Sequence, residues 1–383
     1  MKAAEEILEL ILNRHQPAAL ALADWGKSHR FAGSGDRNAI GGVVYDALRR
    51  RSSIAWAMGS DSPRALATGA APAGLGLSPD AVIAACTGAP HALEPLDEAE
   101  RAGLTRPIDD APDHVRADVP EWLWPAFSAT FGARATLEGQ KLAERAPTDL
   151  RVNTLKSTRE KVLKALAEFK AQETRFAPNG IRIPAPVGTG RTPNLQAEAA
   201  FQAGWFEIQD EGSQLVAAMA GAGPRLQVLD LCAGAGGKTL TMAAAMQNTG
   251  QLYAYDEDRQ RLKPIFERVK RAGVRNVQIL RGGDHAALAA MGPRFDLVLI
   301  DAPCTGTGVW RRRPEAKWKL RPQALAQRQS EQDAVLRTAA GLVKPGGRIV
   351  YVTCSVLAAE NGERVAAFLA DAPDFTLAPF ADV

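Results

Sequence analysis

The chain has 383 residues, 46% hydrophobic and 23% charged, an ordinary balance for a globular protein and length enough for two or three domains. Its formal net charge of +3 at pH 7 neither requires nor excludes a nucleic-acid partner, so any basic footprint must be local. No run of about 18 apolar residues occurs, which excludes a membrane-spanning helix, and four cysteines without a C-x-x-C pair, beside five scattered histidines, exclude a disulfide framework and a zinc site. Unpaired thiols imply a reducing cytoplasm.

The opening stretch, "MKAAEEILELILNR", sets Ile7, Leu8 and Ile11 at helical spacing, with Glu5, Glu6 and Glu9 breaking the apolar run. It reads as an amphipathic helix, not a targeting segment. "DRNAIGGVVYDALRRR" is a further helix ending in Arg49, Arg50 and Arg51. Residues 59–118 are crowded with Pro, Gly and Asp and take no predicted element. From about residue 140 the texture changes: "LRVNTLK" and "GIRIP" are strand-like, and between them Val162, Leu163, Leu166 and Phe169 share one helical face. Ser157 and Thr158 are the N-cap candidates of that helix. After a short strand and helix in "FEIQDEGSQLVAAMA", the strand candidates "QVLDLC", "QLYAYD", "VQILRGGD", "FDLVLIDAP" and "GGRIVYVTCS" alternate with helical stretches, the pattern of parallel βαβ units in a buried sheet.

Ligands of such a sheet bind beyond the carboxyl ends of its strands. After the first strand, "LCAGAGGKT" misses a P-loop because the opening glycine falls on Cys232, and misses G-x-G-x-x-G because its last position is Thr239. The second strand ends at Asp256, about 20 residues beyond Gly236, the offset of an acid that binds ribose hydroxyls. Asp284 and Asp301 close the third and fourth strands, so acids stand at successive strand ends. Cys86 and Cys232 read as small buried hydrophobes. Cys304 and Cys354 instead leave strands at the ligand edge, where a thiolate of lowered pKa can act as nucleophile. Two thiols, a carboxyl and a nucleoside-bearing cofactor suit methylation of carbon 5 of a pyrimidine: thiolate addition at carbon 6 makes carbon 5 nucleophilic, and a carboxylic acid at ring nitrogen 3 offsets the developing charge.

The stretches "VLDLCAGAGGKT", "AYDEDRQRL", "DAPCTGTG", "RRRPEAKW" and "LVKPGGRIVYVTCSVLAAEN" closely resemble the motifs of Sun/RsmB-type RNA cytosine-5 methyltransferases over roughly residues 145–370. The resemblance implies a Rossmann-like class I methyltransferase domain over residues 206–383. Ahead of it come a small α/β RNA-binding module over 136–205 and a helical NusB-like RNA-binding domain over 1–135. It implies S-adenosylmethionine in the loop of Cys232, Ala233, Gly234, Ala235, Gly236, Gly237 and Lys238, with Asp256 on its ribose, Asp284 on its adenine and Asp301 where cofactor meets target base. It assigns attack to Cys354 and assistance in product release to Cys304, whereas DNA cytosine methyltransferases use the other cysteine to attack. Ala235 replaces the family's usual proline. The chain also ends at "DFTLAPFADV", where members continue into a final strand inserted antiparallel between the last two; a trimmed chain or an incomplete sheet edge follows.

Between Arg311 and Arg328, the residues Arg311, Arg312, Arg313, Lys317, Lys319, Arg321 and Arg328 face a single acid, Glu315, with Trp310 and Trp318 interleaved. Such a run is expected to bind RNA by phosphate contact and stacking, in preference to being a merely solvated face. The expected substrate is ribosomal RNA of the small subunit, with transfer RNA next, for a monomer that needs no metal and no membrane. A P-loop ATPase lacks its opening glycine, and a non-catalytic RNA-binding assembly factor would not need both cysteines.

Overall fold

The computed structural model describes residues 1–190 and 193–378. It divides into two compact units, Met1–Ala146 with Pro186–Thr192 and Gly306–Pro322, and Pro147–Ala185 with Pro193–Thr305 and Gln323–Val383.

The first unit is helical. Ile7, Leu8 and Ile11 of helix Lys2–Leu12 are buried with Val43, Val44, Ala47 and Leu48 of helix Ser34–Arg49 and with Leu66, Ala67 and Ala70 of helix Pro63–Leu75. The helical spacing of those residues therefore does what it predicts. Residues 59–118, which carry no predicted element, hold helices Pro63–Leu75, Pro79–Ala85, Glu98–Gly103 and Asp113–Arg116. Part of the reason lies in where the prolines fall: Pro63 and Pro79 occupy first-turn positions, where a missing N–H costs nothing, although Pro72 lies inside the first of these helices. The Ser62 and Ser78 hydroxyls accept from the N–H groups of Ala65 and Ala81.

The second unit holds two sheets. Its strands in chain order are β1 (Thr148–Val152), β2 (Gln172–Glu173), β3 (Gly180–Ile183), β4 (Phe206–Ile208), β5 (Gln227–Asp230), β6 (Gln251–Ala254), β7 (Val277–Ile279), β8 (Phe295–Asp301) and β9 (Val343–Val352). The first four form an antiparallel sheet in the order β2-β3-β1-β4. Thr158, not Ser157, caps the helix Arg159–Ala165 beside it by accepting from the Lys161 N–H. The other five form a parallel sheet in the order β7-β6-β5-β8-β9. Alternate residues of β8 feed two cores: Val298 and Ile300 pack with Leu336 and Ala339, Leu297 and Leu299 with Leu240, Met242 and Ala243. Burial on both faces is what a βαβ sheet demands.

Strand order reverses between β5 and β8, so the loops that follow them diverge and leave a crevice at their carboxyl ends. β8 pairs directly with β9, Asp301 opposite Val352. Among the described residues no antiparallel strand joins this sheet; the last residues of the chain, 379–383, lie outside them. No described helix is long and apolar enough to cross a membrane.

The two sheets meet at Asn153, whose Nδ2 donates to the Gly204 and Ala272 carbonyl oxygens at 2.9 and 2.8 Å. Gly204 sits at φ +75°, and a Cβ there would lie 2.0 Å from the Arg271 carbonyl oxygen. Backbone cannot swing aside as a side chain can. Gly204→Ala should lower stability by about 1–3 kcal/mol through strain and overpacking, read as a lower urea midpoint than wild type.

Candidate active site

The loop after β5 turns on two left-handed glycines, Gly234 at φ +51° and Gly236 at φ +83°. Gly236 caps helix Gly237–Ala245, and a Cβ on it would come 2.5 Å from Cγ1 of Ile265. Only glycine fits that turn. A Cβ on Gly234 would meet Arg261 and the Asp256 carboxylate at ordinary contact distances of 3.7 and 3.9 Å, so it is the left-handed φ that favours glycine there, beside an acid. Asp256 is buried, with Oδ2 accepting from the Gly234 N–H at 2.8 Å and Oδ1 from the Asp258 N–H at 2.9 Å. A glycine cradle, a helix N-terminus and an acid tied to the cradle suit a ligand bearing ribose. Asp284 does not close the third strand, as the sequence suggested: β7 ends at Ile279, and Asp284 lies five residues on, capping helix His285–Ala289 through Oδ1.

Lys238 does not reach out as a phosphate clamp. Its Nζ lies 2.7 Å from Oδ2 of Asp301, joining the β5 loop to the end of β8. Below it, Asp230 is wholly buried, accepts from the Thr239 hydroxyl at 2.6 Å, and is pushed by burial up to about 7. Burial pushes the Cys232 thiol far up, which leaves it inert, as does the milder burial of Cys86.

The loops after β8 and β9 bring Cys304 and Cys354 together, their sulfurs 3.2 Å apart. Cys354 is exposed and Cys304 partly buried. The hydrogen bond from Cys304 holds the Cys354 thiol below its ordinary range, against burial and the Asp301 charge, with Lys238 assisting. The thiolate is thus stabilised by a neighbour and a cation.

Two comparisons of sequence bear on this geometry. Residues 222–382 match the model of the 16S rRNA methyltransferase RsmB/F family, and residues 119–189 match the ferredoxin-like domain of RsmF/B-like methyltransferases. Over residues 222–382 the chain carries the methyltransferase domain of the RsmB/F family. It is 34% identical over 267 residues to a probable ribosomal RNA small subunit methyltransferase B of Synechocystis sp., covering 68% of this chain and 58% of that protein. It is also 34% identical over 271 residues to the ribosomal RNA small subunit methyltransferase B of Sodalis glossinidius, covering 69% and 61%. The chain therefore spans less than two thirds of the length of these relatives. Among solved structures, a methyltransferase homologue from Pyrococcus horikoshii is 28% identical with a TM-score of 0.57, covering 68% of this chain and 81% of that one. NSun6 of the same organism, solved with SFG, shares the fold at 22% identity and a TM-score of 0.59, over 66% and 87% of the two chains.

The basic run of the family motif "RRRPEAKW" departs from its expected exposure. Residues 306–322 belong to the helical unit, and there Lys317 and Trp310 are fully buried. Lys317 donates to the carbonyl oxygens of Arg49 and Asp118, with the Trp310 and Trp318 rings 5.3 and 5.2 Å away, and burial lowers its pKa to about 8. Trp318 is half-buried and its indole N–H donates to the Leu48 carbonyl oxygen. Arg311 is half-buried, donating to the Arg145 carbonyl oxygen at 2.9 Å. Lys317 and Trp310 thus anchor the segment and are withdrawn from any RNA surface, because the carbonyl oxygens that hold Lys317 and the Phe127 ring that stacks on Trp310 lie inside the unit. Arg312, Arg313, Lys319 and Arg321 remain exposed.

Sequence reasoning did not single out Glu360, Gln332 and Asn361, which tie down both cysteine loops. Their only sequence signal is the polar pair that ends "TCSVLAAEN".

The thiol geometry sets a pH order. A lowered pKa keeps Cys354 as thiolate to lower pH, so its alkylation by iodoacetamide should persist at pH values where Cys86 and Cys232 no longer react. Cys304→Ala removes the donor and should move the Cys354 curve to higher pH. Mass spectrometry of each cysteine against pH checks the order; coincident curves for all four thiols would contradict it.

Proposed function

We propose that the chain transfers a methyl group from S-adenosylmethionine to carbon 5 of a cytosine in RNA. Small-subunit ribosomal RNA is the substrate that the names of its relatives favour. The observation that carries this reading is the pair of sulfurs 3.2 Å apart, at neighbouring strand ends, beside the Asp301–Lys238 pair. S-adenosylmethionine would supply the electrophilic methyl. The backbone from Cys232 to Lys238 would hold it, with Asp256 on the ribose hydroxyls and Asp284 near the adenine. The fit is supported by the left-handed turn at Gly234 and Gly236 and by the buried Asp256 that braces it.

In this reading the Cys354 thiolate adds to carbon 6 of the ring, which raises electron density at carbon 5. Asp301 lies where cofactor meets target base; a carboxylic acid there, its proton donated to ring nitrogen 3, offsets the charge that develops on the ring, with the Lys238 ammonium 2.7 Å away as the adjacent positive charge. After methyl transfer the carbon 5 proton passes to a base, water or the Cys304 sulfur, as the carbon–sulfur bond breaks, restoring the ring and the Cys354 thiolate. Cys304 assists that release from hydrogen-bond distance of the departing sulfur. Arg312 and Arg313 contact RNA phosphates, and the helical unit serves as an RNA-binding domain of NusB type. A reducing cytoplasm suits thiols that must stay reduced.

Three outcomes test the reading. Cys354→Ala should give neither methylated RNA nor an RNA adduct. Cys304→Ala should attack but release poorly, so a protein–RNA band should survive denaturing electrophoresis when S-adenosylmethionine is present, and the double variant should lose it. The reverse pattern of bands would exchange the two roles, and full activity in both single variants would remove the thiols from the mechanism. Asp256→Ala should weaken S-adenosylmethionine binding in calorimetry by about 1.5–3 kcal/mol per lost charge-assisted bond. Replacing Arg312 and Arg313 together should flatten the salt dependence of RNA affinity and leave cofactor affinity intact; an unchanged slope would take them out of the interface.

A further inference from the structure

The loops that carry Cys304 and Cys354 are irregular, and neither strand pairing nor helix fixes the last few residues of each. What holds them is a dipeptide. Glu360 is completely buried at the end of the short helix Ala358–Glu360. Its Oε1 accepts from the Thr305 N–H at 2.8 Å and from the Gln332 amide at 3.0 Å, and its Oε2 accepts from the Thr305 hydroxyl. Gln332 Nε2 also donates to the Pro303 carbonyl oxygen at 2.9 Å, so the residues on both sides of Cys304 are gripped through one carboxylate. The Tyr351 hydroxyl holds the Glu360 backbone in turn, donating to its carbonyl oxygen at 2.8 Å.

The next residue does the same for the other cysteine. Asn361 Nδ2 donates to the Ser355 and Leu357 carbonyl oxygens at 3.0 and 2.9 Å, and its Oδ1 accepts from the Thr353 hydroxyl at 2.7 Å. Thr353 and Ser355 flank Cys354. Two adjacent side chains therefore reach in different directions, one to each cysteine loop.

We propose that Glu360 and Asn361 act as a clamp that sets the separation of the Cys304 and Cys354 sulfurs, Glu360 being the positioning residue for Cys304. The inference rests on the two-thiol reading of the site. A buried carboxylate that gathers donors from a loop is costly to leave unpaired, so the Thr305 loop is drawn to it and Cys304 is held toward Cys354. Neither residue touches the reacting atoms. Their effect passes through the position of Cys304, and the groups facing Cys354 are Cys304, Asp301 and Lys238. Tyr351, with Asp333 and Arg364 near it, stands on the Cys304 side.

Two readouts that need no RNA test the clamp. One is the alkylation profile of Cys354 against pH. The other is the rate at which diamide, a diazene that takes up two thiol hydrogens, closes a Cys304–Cys354 disulfide. In Glu360→Ala the profile should move to higher pH, toward that of Cys304→Ala, and closure should slow by about a hundredfold, the loss that roughly an ångström of misplacement costs a proximity-driven reaction. Glu360→Gln can still accept from the Thr305 N–H and donate to its hydroxyl, and should restore most of both readouts. Thr305→Val, which deletes only the hydroxyl, should shift both in the same direction and carries the test if Glu360→Ala does not fold. Wild-type profiles and closure rates in folded Glu360→Ala, or in Thr305→Val where Glu360→Ala does not fold, would overturn the clamp. A wild-type chain that closes the disulfide rapidly yet methylates no RNA would count against the proposed function and leave the clamp standing.

Discussion

Parallel pairing of β8 with β9 is the constraint on which the site depends. Because the two strands run the same way in register, Asp301 opposite Val352, the loops that leave them start side by side. Residues 50 apart in sequence thereby come to hydrogen-bond distance. An antiparallel partner would have sent one loop to the far end of the sheet. The pairing is held by burial on both faces of β8, where alternate residues enter separate cores, so a slip of one residue would exchange the two faces and cost both packings.

From that register follow the charges. Asp301 ends β8 and meets Lys238 from the start of the helix after β5, a neighbouring strand. The cation stands where it offsets a carboxylate and a thiolate at once, in a crevice where partial burial makes such interactions stronger than in water. Asp256, from β6, turns inward to brace the glycine loop. The polar groups Asp256, Asp301 and Cys354 thus come from the ends of different strands or the loops just after them, and each holds a partner on a neighbouring loop or helix.

The same economy governs the helical unit, where Lys317 is a structural plug. Its ammonium is spent on two backbone carbonyls and two aromatic faces. Such a lysine can be buried because fixed dipoles replace its hydration and the charge of the buried Asp118 carboxylate favours it, although burial still draws its pKa down to about 8. Charge counted along a sequence is therefore a poor guide to charge on a surface. Arg312 and Arg313 are exposed while Lys317, a few residues on, is not.

The sequence by itself determined the alternation of strands and helices, the acid that ends β8, the glycines that only a tight loop needs and the cysteines that leave adjacent strands. These are local properties: period, turn chemistry and position within an element. Asp256 and Asp284 lie beyond the ends of their strands, in the loops that follow. It also marked the first helix correctly, because its apolar spacing has a single packing solution. Residues 59–118 were illegible because proline counts against a helix in composition yet favours one at the first turn, and only position separates the two. What the tertiary structure alone decided is which polar groups meet. Glu360 with Thr305, Asn361 with Ser355, Lys238 with Asp301 and Lys317 with the Asp118 carbonyl oxygen are pairs of ordinary residues. Several are far apart in the chain, and a hydrogen bond leaves no periodic trace in sequence. Whether a charged side chain becomes a surface, a clamp or a plug depends on the partner that folding brings to it.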